Sequence, residues 1–165
     1  MEVINKISPD VVSICPKLKV LHIFVCPNTL KQFQDLEELE IEAYYGIPKY
    51  FPPKLRIFSG EGSVESWHGD PVKSVTQLTI DAFDTITLTT IVNRFPNVQI
   101  LELFPSKILD DYSPLTKLQD LRALYCRPAV DHLYKFVHKI KKLQFVEGSK
   151  KFNKPFTVPP VIQKP

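Results

Sequence analysis

Nothing in this 165-residue chain approaches the roughly 20 uninterrupted apolar residues that a bilayer crossing requires, because Lys, Glu or Pro breaks every apolar stretch within a few positions. No membrane partner is expected. Cysteine is scarce and scattered, at Cys15, Cys26 and Cys126. An odd, dispersed set excludes the dense even framework of a small disulfide-stapled secreted domain. No Asn-x-Ser/Thr site occurs, and Glu2, Asn5, Lys6 and Asp10 interrupt the start where a secretory signal would carry its continuous apolar core. A reducing compartment, cytoplasmic or nuclear, is therefore expected. Charge of one sign is also missing. With 21 basic against 18 acidic residues the formal net charge is only +3, so bulk electrostatics select neither nucleic acid nor an anionic surface, and any charge argument must be local.

What the chain does have is a repeat. The pattern apolar-x-x-apolar-x-apolar occurs at Leu18/Leu21/Ile23, Leu36/Leu39/Ile41, Val75/Leu78/Ile80, Val98/Leu101/Leu103 and Ile140/Leu143/Phe145, with weaker copies at Leu55/Phe58/Gly60 and Leu121/Leu124/Cys126. The seven first positions are 18, 19, 20, 23, 23 and 19 residues apart. The last two apolar positions of each copy alternate with polar ones, the period of a short strand with one buried face. Strands this short cannot stand alone. Stacked in parallel, they share a core while the intervening chain returns on the outside. The spacing predicts return helices over Thr85 to Phe95 and Ala129 to Lys139, and irregular loops over Gly46 to Pro53 and Ser59 to Pro71. Residues 2–14 read as a partial return helix capping the first strand, within a domain of residues 1–148. Residues 149–165 read as an extended Lys/Pro-rich tail.

The segment Cys15-Pro16-Lys17-Leu18-Lys19-Val20-Leu21-His22-Ile23-Phe24-Val25-Cys26 closely resembles the cysteine-containing leucine-rich repeat of F-box proteins. Phe95-Pro96-Asn97-Val98-Gln99-Ile100-Leu101-Glu102-Leu103 resembles a second copy with the leading Cys replaced. The resemblance spans roughly residues 10–148. It implies an α/β leucine-rich-repeat solenoid with about seven short parallel strands on its concave face and loops or short helices on its convex face. The consensus Asn or Cys at the repeat corner is filled only by Cys26, so the usual stacked ladder is not expected there, and spacings of 18 to 20 residues are short for the family, so the coil should be irregular. In F-box receptors of this type the repeats hold a substrate for ubiquitination, while a separate helical F-box docks to the ligase. No such segment precedes Pro16, so the resemblance implies the recognition half alone: a non-catalytic protein-protein interaction module. A scaffold subunit of a larger assembly is the alternative.

Positions between the buried ones point to the inner face of such a coil. They bring Glu38, Glu40, Glu42, Glu61, Asp81 and Glu102 together on one face of a net positive protein, with Phe24, Phe104, Tyr125 and Arg127 among them. Two readings stay open. The acidic group is either a hydrated surface that blocks stray strand pairing, or a site for a protein partner with a basic contact surface, anchored on the aromatic residues.

Catalytic and metal-binding patterns are absent. His22, His68, His132 and His138 lack H-E-x-x-H spacing, and no C-x-x-C pair occurs. The glycine-rich Ser59 to Ser63 lacks the Lys-Ser/Thr ending of a phosphate loop. Asp110-Asp111 before Ser113-Pro114 reads as a turn or helix start, and Trp67-His68 as a loop anchor or a second contact. No enzyme activity, cofactor or small-molecule substrate is expected. Lys139, Lys141, Lys142, Lys150, Lys151 and Lys154 keep a nucleic-acid or anionic-surface binder as the reading from another class, ranked behind because such runs commonly cap a repeat array.

Overall fold

A computed structural model describes residues 3–4, 15–23, 30–42, 50–61, 69–81, 85–105, 108–127 and 133–147; of residues 3, 4, 61, 81 and 85–87 it describes the backbone alone. Among these residues eight strands form one sheet: β1 (Val3–Ile4), β2 (Val20–Ile23), β3 (Glu38–Ile41), β4 (Ile57–Glu61), β5 (Gln77–Asp81), β6 (Ile100–Phe104), β7 (Ala123–Cys126) and β8 (Phe145–Val146). Every neighbouring pair is parallel, and spatial order is chain order. The molecule is thus an α/β protein built on a parallel sheet.

Register follows the repeat. Leu21, Leu39, Phe58, Leu78, Leu101, Leu124 and Val146 stand side by side across the sheet, all buried. Two residues on, Ile23, Ile41, Gly60, Ile80, Leu103 and Cys126 make a second row on the same face. Each fully buried Leu or Ile contributes about 1.5–3 kcal/mol, and neither row exists unless neighbouring strands are present. The entry to each strand is fixed by a repeated backbone device. The carbonyl of Lys19 accepts the N–H groups of both Glu37 (2.8 Å) and Glu38 (3.0 Å), and Glu37, Arg56, Thr76, Gln99 and Arg122 do the same for the strand that follows.

The returns supply the other wall of the core. Helix α1 (Thr85–Arg94) forms where expected despite its Thr and Ile content, because Leu88, Ile91 and Val92 fall on one face and are buried there with Phe95. It stops before Phe95-Pro96, where the residue preceding proline is steered away from helical geometry. Of the second expected helix, residues 128–132 lie outside the description; the described part holds α2 (Tyr134–Val137), followed by a turn at His138 and Lys139. Leu30–Gln32 and Ser113–Lys117 are short 3-10 turns. The second starts as Asp110-Asp111 suggested. Asp111 accepts from the Ser113 N–H and hydroxyl, both at 2.7 Å, and these bonds hold its carboxyl below the ordinary range.

Two sequence expectations are corrected. Within residues 2–14, expected to form a partial return helix, Val3–Ile4 is a strand that extends the sheet beyond β2. Two β-branched residues beside an open parallel edge gain its hydrogen bonds by doing so. The last repeat is also shifted. Leu124 pairs with Val146, so the copy is Leu143-x-x-Val146, three residues later than the Ile140/Leu143/Phe145 pattern, and Val146 is core while Phe145 faces the other way. The turn bonds explain the misreading. Leu18, Leu36, Leu55 and Leu121 each donate their N–H to the carbonyl three residues back, and Leu143 does the same to Ile140. Ile140 therefore matches Leu118, the end of a return. Val146→Ala should cost about 2 kcal/mol in urea unfolding for two lost buried methyl groups, whereas Gln144→Ala, at an exposed position, should change stability by less than about 0.5 kcal/mol. Equal effects would restore the unshifted register.

One buried contact makes stability sensitive to alkali. Tyr112 has no exposed surface, and the Cys126 thiol donates toward its hydroxyl at 4.0 Å. Burial, reinforced by Cys126, pushes the Tyr112 hydroxyl up to about 12. The folded protein thus keeps a proton that the unfolded chain releases near its ordinary value of 10. The contribution is fully present below pH 10 and is lost as pH rises towards 12. It amounts to about 2–3 kcal/mol. Tyr112→Phe should flatten the fall of the urea midpoint between pH 9.5 and 11.5; an unchanged slope would assign the loss elsewhere.

Candidate functional site

The face opposite the core carries rows of its own. One row, set by pairing, runs His22, Glu40, Ser59, Thr79, Glu102 and Tyr125. The β7–β8 register continues it to Glu147, whose N–H donates to the Leu124 carbonyl at 2.9 Å. Beside it lie Val20, Glu38, Ile57, Gln77, Ile100, Ala123 and Phe145. Ala123, on this face by register, is fully buried, since its methyl group is small and lies between Ile100 and Phe145. The face is thus a polar row alongside a partly apolar one.

Of the expected acidic residues, Glu38, Glu40 and Glu102 lie on this face, and they are not equivalent. His22 sits between two of them, with Nδ1 2.8 Å from Glu40 Oε2 and Nε2 3.6 Å from Glu38 Oε1. Glu42 is exposed just beyond β3, its N–H donating to the Ile23 carbonyl. Glu61 and Asp81 are register partners at the ends of β4 and β5; their side chains, and all of Phe24, lie outside the described residues. Glu102 is half-buried, and its carboxylate enters no hydrogen bond or ion pair among the described residues.

At the β6–β8 end the predicted anchors combine with two residues that sequence reasoning did not select. The Tyr125 ring packs on Phe145 with centroids 5.1 Å apart. Burial first, then the charges of Glu102 and Glu147, push the Tyr125 hydroxyl above its ordinary range. Tyrosine is flanked by two carboxylates, as the row requires. Arg127 is held by Glu147, with Nε 3.0 and 3.1 Å from its two oxygens and Nη2 2.9 Å from Oε1. Its guanidinium also lies 5.8 Å from the centre of the Phe104 ring. Glu147 is therefore balanced by its own cation, whereas Glu102 forms no ion pair among the described residues and feels Arg127 only through the longer-range attraction that helps hold the guanidinium's proton. Phe145 and Glu147 were missed because of the three-residue shift; the leucine that follows each turn bond, Leu143 here, would have placed both on the open face.

Several cations lie along the edge where the chain enters the strands, and much of their charge is matched. Lys19 and Arg56 bracket Glu37 at 3.0 and 3.4 Å, Lys54 meets Asp35 at 2.5 Å, and Lys142 meets Asp120. Such exposed pairs add little stability, but they spread the basic charge along the sheet edge. Among the described residues no three His, Cys, Asp or Glu side chains converge as metal ligands, and no helix is long and apolar enough to cross a membrane. Compared with protein-family models, with curated proteins and with solved structures, the chain matches none.

Proposed function

We propose that this chain is a leucine-rich-repeat solenoid acting as a non-catalytic protein-interaction module, whose open, concave sheet face holds a basic segment of a protein partner. The observation that carries this reading is Glu102: a half-buried carboxylate that forms no ion pair among the described residues, next to Tyr125 on the row whose other flank, Glu147, already has Arg127. An unpaired carboxylate beside an aromatic ring suits a Lys ammonium or Arg guanidinium, which gains both a charge partner and a ring face. Val20, Ile57, Ile100 and Phe145 on the adjoining row offer apolar contact to the same segment. Holding a substrate in this way is the task such repeats perform in F-box receptors.

The test is fluorescence anisotropy with a labelled nonapeptide of alternating Lys and Leu, followed by the partner that copurifies with the chain. Saturable binding that weakens with salt and is lost on charge reversal at Glu102 supports the reading. Equal binding by the wild type and by the Glu40→Lys/Glu102→Lys double variant would sink it.

A further inference from the structure

We propose that the partner segment held on the open face is a left-handed polyproline II helix with an apolar residue at every third position. This rests on the reading of that face as the binding surface and specifies the conformation and pattern of what lies there. Val20, Ile57, Ile100 and Phe145 form one register row on β2, β4, β6 and β8, every second strand of the sheet. Between them stand Glu38, Gln77 and the small, buried Ala123. None of the four apolar residues belongs to the hydrophobic core, and Val20 is 42% exposed. Core packing therefore does not explain them.

Their interval identifies the backbone that fits. Neighbouring strands lie about 4.8 Å apart, so strands two apart are separated by about 9.6 Å. A polyproline II helix rises about 3.1 Å per residue with three residues per turn, so one face returns every turn of about 9.3 Å. Over the three intervals from Val20 to Phe145 the mismatch is only about 1 Å. An extended strand laid across the sheet returns to one face at about 6.6 Å and misses Ile57 at the first step. An α-helix presents that face once per turn of about 5.4 Å, which would set side chains over Glu38 and Gln77 as well. The inner strands also use their backbone groups to pair with one another, so a ligand crossing them gains no ladder bonds. A polyproline II helix needs none, because its backbone stays solvated.

The polar row then fixes the charges. Residues between the apolar anchors lie near β3, β5 and β7. At β3 stand Glu38 and Glu40, at β5 the uncharged Gln77 and Thr79, and at β7 Tyr125 between Glu102 and Glu147. Basic residues are called for near β3 and β7 and a neutral one near β5. His22, between Glu38 and Glu40, weakens the first of these sites. At the second, Glu102 forms no ion pair among the described residues, and Tyr125 packed on Phe145, with centroids 5.1 Å apart, gives the last anchor an aromatic floor.

The test is fluorescence anisotropy of the whole chain with the labelled decapeptide Val-Lys-Pro-Val-Gln-Pro-Val-Lys-Pro-Val and with the same ten residues in an order that breaks the three-residue period. The periodic peptide should bind saturably and at least about tenfold tighter than the scrambled one. Ile57→Ser/Ile100→Ser, at two half-buried positions outside the core, should keep the circular dichroism spectrum and weaken the periodic peptide at least about tenfold. Equal binding of the two peptides, or an unaffected double variant, would overturn the proposal while leaving the open face as a binding surface for basic segments. Failure of both peptides and of the Lys/Leu nonapeptide would remove the two readings together. Phe152, Pro155, Val158 and Val161 carry the same three-residue spacing within this chain. Tighter binding of the periodic peptide by Pro155→Asp/Val158→Asp would make that segment, and not a partner, the occupant, and would equally overturn the proposal.

Discussion

Gly60→Ile is expected to destabilise the protein by about 3 kcal/mol, and to become largely tolerated once Phe58→Leu accompanies it. Gly60 occupies a core row between Ile41 and Ile80, a position that elsewhere in the sheet holds a large aliphatic residue or Cys126. A Cβ there would come 2.9 Å from Phe58 Cζ. The phenyl ring of one row thus fills the space that the glycine of the next leaves vacant. Moving the ring away is costly, since Phe58 is fully buried and packed between Phe51 and Phe95. Leucine at 58 ends before the region of contact, so isoleucine at 60 then restores the pattern of the neighbouring strands. Urea unfolding of the four proteins should give a coupling of about 2 kcal/mol in favour of the double variant. Additive losses would mean that the two residues do not share this space.

Charge reversal on the open face should be graded rather than uniform. Glu102→Lys is expected to weaken binding of the basic peptide by about 2 kcal/mol, roughly thirtyfold, because it removes a carboxylate that forms no ion pair among the described residues and sets a like charge against the incoming one. Glu40→Lys should cost less, about 1 kcal/mol, since His22 already lies 2.8 Å from that carboxylate. Arg127→Ala should act indirectly. It frees Glu147 beside Tyr125 and so should strengthen binding. Anisotropy titrations at 50 and 150 mM salt check the order. Identical losses at Glu40 and Glu102 would reduce the face to a diffuse acidic surface.

Much of the architecture could be read from the sequence wherever alternation was strict. In β2, β3 and β6 the alternating residues assigned the buried face correctly, down to Leu21, Leu39 and Leu101. Thr85–Arg94 was legible because four apolar residues at helical spacing outweighed β-branching. Reading failed where one pattern fitted twice. Ile140 to Val146 offers the same apolar spacing in two frames, and only the turn bond at Leu143 selects between them. Glu38, Glu40 and Glu102 could be placed on one face because that placement follows from the same alternation. Their inequality could not. The pairing of Glu40 with His22 and of Glu147 with Arg127 depends on which strands are neighbours and on their exact register, which composition does not encode.

The most direct test of the open face as the binding surface is amide chemical-shift mapping of the isotopically labelled chain with the Lys/Leu nonapeptide. Saturable shifts at Ser59, Thr79, Glu102 and Tyr125, with Leu88 to Arg94 unmoved and the shifts abolished by Glu102→Lys, are the expected result. Shifts confined to the return segments, or the same shifts in the Glu102→Lys protein, would contradict it.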